Sequence, residues 1–279
     1  MNHNRVKITE FMLSAMVIDP SIVMIAKRGS GKSFITRDII HHYRHIPGGV
    51  VIAPTDRMNS FYKFFFPDLF IHYEINESLL KNILLRQSLM IEKQKDKKKM
   101  GKKIDPSGIL IMDDCLAKKK TWGKDESIME ILMNGRHYRL TYILTMQTPL
   151  GITPDLRLNF DYVFLLKEDS TINKKKLWDN YASMFQSILE FDKVFSACTT
   201  DHKSMVIDNR KPTDNISEKV FWFKAVDRKF SFGSTSFKKF HKKYYDPLFM
   251  RKKTQDMMNG AGLGSRKRKN EVDFKVEMV

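Results

Sequence analysis

The chain has 279 residues, 42% hydrophobic and 11% aromatic, with 20 Phe and 17 Met against 13 Gly and 9 Pro; this excludes a wholly disordered chain and allows one large domain with a smaller appendage. Lys plus Arg number 49 and Asp plus Glu 32, a formal net charge of +17, which points to a polyanionic partner: nucleic acid, an anionic membrane surface or an acidic protein. Two cysteines, Cys115 and Cys198, make no disulfide framework and no four-cysteine zinc site.

No apolar stretch reaches the roughly 18–20 residues of a membrane span. The start, MNHNRVKITEF, lacks the apolar core of a secretory signal. The expectation is a soluble, intracellular protein that is not secreted.

Apolar runs then alternate with helical spacings, the pattern of a parallel α/β sheet. Residues 21–26 (SIVMIA) predict a buried strand. Ile35, Ile39, Ile40 and Tyr43 within 33–44 have helical spacing. A second strand falls at 48–54 (GGVVIAP), and the aromatic segment 61–73 includes a short strand at 69–73. Leu79, Leu80, Ile83, Leu84 and Met90 mark the next helix, and 108–114 (GILIMDD) is a third central strand. Residues 127–134 read as helix, 141–147 (TYILTMQ) as a fourth strand and 162–167 (YVFLLK) as a fifth. Beyond them, 178–198 reads as helical and 204–208 and 220–225 as strands. The stretch after about Pro247, with its Gly/Ser run at 260–265 and Arg266-Lys267-Arg268-Lys269, reads as a flexible basic tail.

Two lysine clusters lie ahead of that tail or run into it. Residues 93–103 hold seven Lys against one Asp; residues 237–253 hold Lys238, Lys239, Lys242, Lys243, Arg251, Lys252 and Lys253 against one Asp. Either alone is also what a solvated face looks like. With the overall charge, binding of a polyanion is the better reading.

The strongest chemical signal is AKRGSGKS at 26–33, after a predicted strand and at the opening of a predicted helix, which is the setting of a phosphate-binding P-loop. Glycines let backbone N–H groups turn toward a phosphate, and the helix N-terminus adds a positive field. The candidate nucleotide-binding residues are Ala26, Lys27, Arg28, Gly29, Ser30, Gly31, Lys32, Ser33 and Phe34. Lys32 would reach the β- and γ-phosphates, and the Ser33 hydroxyl would coordinate Mg²⁺. Ala26 stands where the usual pattern has its first glycine.

The strand ILIMDD ends in two acids. After a P-loop, Asp113 is expected in the Mg²⁺ shell and Asp114 as the group that polarises the attacking water. Such a strand end is where ligands bind in open α/β sheets. Alone, the pair would read as a turn, which Asp favours, and Asp114 is one methylene shorter than the usual Glu. Gln147 closes the fourth strand, where its amide could sense the γ-phosphate or orient the water, or could simply be a polar strand end. Arg136, in NGRHY, is either an exposed surface arginine or an arginine finger.

Taken in order, AKRGSGKS, GILIMDD, NGRHY and ILTMQTP resemble the genome-packaging ATPases of nucleocytoplasmic large DNA viruses, members of the FtsK–HerA class of P-loop DNA translocases. VIAPTD at the end of the second strand and VFWFKA followed by FSFG fit the same pattern, so the resemblance covers about residues 20–235. It implies a RecA-like P-loop NTPase of α/β class, with a mainly parallel central sheet flanked by helices and a basic C-terminal extension. The domain would span 1–246 and the tail 247–279. The resemblance also implies ATP and Mg²⁺ as cofactors and ATP-driven translocation of double-stranded DNA into a virion by a homo-oligomeric ring. Capsid or inner-membrane virion proteins are further partners it suggests, with the virion or a viral factory in the host cytoplasm as location. In a ring, Arg136 could complete a neighbour's site. Two other readings stay open on the residues: a nucleoside or nucleotide kinase, against which the missing arginine-rich lid counts, and a DNA-binding protein with a remnant P-loop, against which the intact Lys32-Ser33 and Asp113-Asp114 count.

Overall fold

Unbroken apolar runs such as 22–25 and 109–112 have no polar face to offer water, so each needs cover on both sides. In the computed structural model, which describes residues 6–115 and 125–248, they are central strands of one sheet. The strands are β1 (Thr9–Glu10), β2 (Ser21–Ile25), β3 (Gly49–Ile52), β4 (Ile71–His72), β5 (Gly108–Asp113), β6 (Leu140–Met146), β7 (Tyr162–Leu165), β8 (Lys203–Asp208) and β9 (Val220–Lys224). Their order is β1-β9-β8-β7-β2-β6-β5-β3-β4. Every pairing is parallel except those of β8, which runs against both β7 and β9.

Helices cover both faces: α1 (Lys32–His42), α2 (Glu77–Lys99), α3 (Glu126–Asn134), α4 (Pro154–Arg157), α5 (Thr171–Tyr181), α6 (Ile188–Cys198), α7 (Ile216–Lys219) and α8 (Thr235–Tyr244). The alternation of side chains along a strand divides the core in two. Ile22 and Met24 of β2 face Ile35, Ile39 and Ile40 of α1 and the aromatics Phe65, Phe66 and Phe232. Val23 and Ile25 face the opposite layer, with Leu80 of α2, Ile128 and Ile131 of α3 and Phe191 and Phe195 of α6. Each such side chain, fully buried, contributes about 1.5–3 kcal/mol. The expected α/β architecture with a mainly parallel sheet between helices is therefore the one formed.

Three features differ from the sequence reading. The helical stretch at 178–198 is two helices. The Ser187 hydroxyl caps α6 by accepting the Glu190 N–H at 3.2 Å, Ala182 and Phe185 are buried in the gap, and Trp178 donates its indole N–H to the Phe185 carbonyl at 3.1 Å. The first lysine cluster belongs mostly to a helix, since α2 continues through its first part to Lys99. Strand β1 and helices α4, α7 and α8 fall where the sequence pattern predicts no element; α8 is docked by Phe237, stacked on Phe70 with ring centroids 4.1 Å apart. The tail expected over 247–279 lies outside the described residues beyond Leu248.

Candidate functional site

Strand β2 is buried at all five positions, so it delivers the chain to the sheet edge in a fixed direction. Ala26 extends the ladder, donating its N–H to the Met146 carbonyl at 3.0 Å. It is absent from the positive-φ positions and its methyl joins the core, which explains an alanine where a P-loop usually has glycine. The turn comes next. Gly29 has φ +80° and Gly31 φ +93°, yet a Cβ at either would meet nothing within 4 Å. The demand for glycine there is one of backbone conformation, not space. Gly31 is the N-cap of α1 and offers no side chain to its first N–H groups. Those amides, with the helix dipole, are suited to an anion.

A cavity of about 890 Å³ opens here, at the carboxyl ends of β2, β5 and β6. Ala26, Lys27, Arg28, Gly29, Gly31, Lys32, Ser33, Phe34, Asp113, Asp114 and Gln147, all expected from the sequence, line it. Ser30 does not; its hydroxyl tightens the loop by donating to the Lys27 carbonyl at 2.7 Å. Lys27 itself pairs with Asp169, which raises the lysine's pKa and lowers the carboxyl's.

The two acids reach the pocket by different means. Asp113 is the last residue of β5, in register with Thr145 of β6, whose hydroxyl donates to Asp113 Oδ1. Asp114 follows in the left-handed region, φ +58°, which swings its side chain out of the strand alternation. Its N–H bonds the Thr145 carbonyl at 3.2 Å, and Gln147 donates to Asp114 Oδ2. Lys32 Nζ lies 3.0 Å from Asp113 Oδ1 and 3.6 Å from Asp114 Oδ2. The three side chains are 16%, 11% and 14% exposed. At that degree of burial each attraction is on the order of 4 kcal/mol before desolvation is charged, enough to hold the lysine between the acids.

Arg136 is not brought together with the other candidates. It precedes β6, at the opposite end of that strand from Gln147, about 20 Å away at roughly 3.3 Å per residue. There it pairs with Asp161, which is 9% exposed and also accepts the Ser21 N–H at 2.8 Å. It takes no part in the pocket of its own chain.

Several lining residues escaped the sequence reading. Thr145, buried behind the pocket as the partner of Asp113, escaped it too. Thr55, Asp56, Asn59 and Phe61 form one wall. Asp56 organises it, accepting the N–H groups of Phe61 at 2.7 Å and Tyr62 at 3.2 Å. Burial raises the Asp56 pKa, and those two N–H groups oppose the rise. His202, Lys224, Ala225 and Asp227 form the far wall. There Asp201 and His202 both have positive φ in a tight turn closed by Lys203 N–H to Thr200 O at 3.1 Å, a geometry that usually takes Asn-Gly. Asp201 in turn pairs with Lys224 at 2.6 Å. The segments VIAPTD and VFWFKA pointed to these walls without marking which side chains would face inward.

Chemically, the pocket offers backbone N–H groups and Lys32 for phosphate and hard oxygen donors, the Ser33 hydroxyl and the Asp113 carboxylate, for a divalent cation. Mg²⁺ is commonly held by one or two protein oxygens together with substrate phosphates, so this donor set fits it.

Comparison with known proteins gives a consistent picture. Residues 9–215 match the family model described as poxvirus A32 protein. The chain is 68% identical over 278 residues to the uncharacterized protein L437 of Acanthamoeba polyphaga mimivirus, covering 100% of this chain and 98% of that one. It is 32% identical over 234 residues to the uncharacterized protein 075L of Invertebrate iridescent virus 6, covering 82% and 87%. Among solved structures, B204, the DNA-packaging ATPase of Sulfolobus turreted icosahedral virus, is similar in fold at TM-score 0.50 and 15% identity, over 76% of this chain and 100% of that one.

Proposed function

Because the chain belongs to the poxvirus A32 protein family, whose members are genome-packaging ATPases, we propose that this ATPase is a motor that moves double-stranded DNA into a virion. The observation that carries the reading is Lys32, on the P-loop, held between Asp113 and Asp114 at the end of a neighbouring strand.

In this reading the loop amides and Lys32 bind the phosphates, and Lys32 leaves the acids to do so. Ser33 and Asp113 would hold Mg²⁺, which would supply positive charge against the phosphates. Asp114, released from Lys32, accepts the proton of the attacking water, and Gln147 fixes the orientation of that carboxylate. The rim residues Phe34 and Phe61 give the cavity apolar surface for a base.

The basic surface supports a DNA partner. Gln87 of α2 donates to the carbonyls of Pro106 and Tyr138, at the starts of β5 and β6. Residues 88–99 continue the helix for about 18 Å past that tie, at 1.5 Å per residue. Lys93, Lys95, Lys98 and Lys99 are exposed on this arm, as are Lys239, Lys242 and Lys243 on α8. Contacts to phosphates alone suit a motor, since they carry no sequence preference. A homo-oligomeric ring, contact with capsid or inner-membrane virion proteins and a place in the virion or viral factory belong to the same reading. No helix among the described residues is long and apolar enough to cross a membrane.

ATP turnover with and without double-stranded DNA, and with nucleosides, tests it. Hydrolysis stimulated by DNA is expected. Phosphorylation of a nucleoside instead would replace the motor with a kinase.

A further inference from the structure

The covalent order of a triphosphate fixes how a nucleotide must lie in the cavity. The P-loop stands at the end of β2. β5, with its acids, is two strands away on one side, through β6, and β8 is two strands away on the other, through β7. At about 4.8 Å between strands, each lies about 10 Å from the loop. With the terminal phosphate toward the acids, the nucleoside has to leave the loop toward β7, β8 and β9. Phe61, on the wall that follows β3, is past the terminal phosphate; Phe34, which is 56% exposed in the first turn of α1, stays within reach.

β8 runs against both its neighbours, and Lys203 is in register with Lys224. The residue before β8, His202, and the last residue of β9, Lys224, therefore reach the same sheet edge as the P-loop, and both line the cavity. This wall has little free charge to offer a phosphate. Lys224 is met by Asp201 at 2.6 Å, and Asp227 pairs with Arg37. His202 is held at φ +57°, next to Asp201 at φ +54°. Glycine takes such a position without strain, and other residues held there gather at ligand sites. Asp201 has its use in the ion pair. The His202 side chain makes no hydrogen bond or ion pair among the described residues and is exposed.

We propose that His202 is a nucleoside-binding residue, whose imidazole ring packs on the base of the bound nucleotide in a subsite shared with Phe34. The inference rests on the nucleotide reading of the cavity given above. A flat ring against a base needs no charge, which suits a wall whose ions are already paired. A base–aromatic stack is worth about 5- to 150-fold in affinity.

The test uses His202→Gly and His202→Asn, both of which accept a positive φ and remove the ring. Calorimetric titration in Mg²⁺ compares a non-hydrolysable ATP analogue with inorganic tripolyphosphate, and thermal unfolding is measured alongside. Both variants are expected to bind the ATP analogue about 10-fold more weakly or worse, with tripolyphosphate affinity and melting temperature close to wild type. Wild-type affinity for the ATP analogue in both variants overturns the proposal. So does a parallel loss of tripolyphosphate binding or of stability, which marks a role in the phosphate cradle or the fold. If wild type binds tripolyphosphate as tightly as the ATP analogue, the nucleoside subsite falls and the phosphate-binding loop stands. If wild type binds neither, the nucleotide reading itself falls and this inference with it.

Discussion

Lys32 Nζ stands 3.0 Å from Asp113 Oδ1, so the cation that would neutralise a phosphate is held by the carboxylate that would hold the metal. Phosphate and Asp113 therefore compete for Lys32, and metal and Lys32 compete for Asp113. Lys32→Ala removes the phosphate contact and leaves Asp113 and Asp114 facing each other across the pocket without a cation. We expect ATP turnover to fall by on the order of 10²–10³ or more. Steady-state phosphate release measures it, and turnover within a few-fold of wild type would remove Lys32 from the chemistry.

Asp113 and Asp114 are expected to separate in mutants. Asp113→Asn should weaken Mg-dependent nucleotide binding. Asp114→Asn should bind nucleotide normally and lose hydrolysis, because an amide of the same size cannot accept the proton of water. Asp114 also sits at φ +58°, a conformation that Asn tolerates, so the backbone should not shift. Titration of a fluorescent nucleotide with Mg²⁺, beside single-turnover hydrolysis, distinguishes the two. Identical losses in both variants would mean that the roles are not divided this way.

Arg136 is expected to act through its ion pair with Asp161. That arginine is 58% exposed while its partner is 9% exposed, and Asp161 keeps the Ser21 N–H and hydroxyl when the arginine is gone. Arg136→Ala should lower stability by roughly 1 kcal/mol, after discounting for solvent, and leave turnover within a few-fold of wild type. A finger acting across a subunit boundary gives a different result: two inactive proteins, Arg136→Ala and Lys32→Ala, that regain turnover on mixing.

The lysine arms should be visible in salt dependence. Each phosphate neutralised contributes about −0.9 to the slope of log K against log salt. Replacing Lys93, Lys95, Lys98 and Lys99 by Gln should flatten that slope for double-stranded DNA while nucleotide binding is untouched. The same exchange at Lys238, Lys239, Lys242 and Lys243 tests α8. A slope unchanged by both sets would make them solvated surface.

Burial should give His42 a pH signature. Its pKa is lowered, by burial first and then by the neighbouring His45 and Arg44, with Asp38 opposing. The unfolded chain therefore binds a proton at this site more readily than the folded one. The stability it contributes is present above about pH 6.5 and is lost as pH falls toward the folded value. His42→Gln should reduce the loss of melting temperature between pH 7.5 and 5.5. An unchanged difference would mean other groups set the acid sensitivity.

What the sequence alone determined is local. The unbroken run at 22–25, the glycines at 29 and 31 and the helical spacing of Ile35, Ile39 and Ile40 each act within a few residues, through strand burial, positive φ and helix periodicity. Because those effects need no distant partner, strand, loop and helix were legible in order, as was the acidic end of β5. Tertiary structure decided what depends on register between strands. The pairing of β5 with β6 sets Thr145 beside Asp113, and no periodicity in either strand encodes that alignment. The same pairing sends Arg136 to the far end of β6, although in sequence it lies between Asp114 and Gln147. Gln87 shows the point within a helix: a polar residue of α2 by sequence, it is 1% exposed and ties the helix to two strand starts. Its buried amide is affordable only because those carbonyls meet it, and they arrive from chain segments that only the fold brings together.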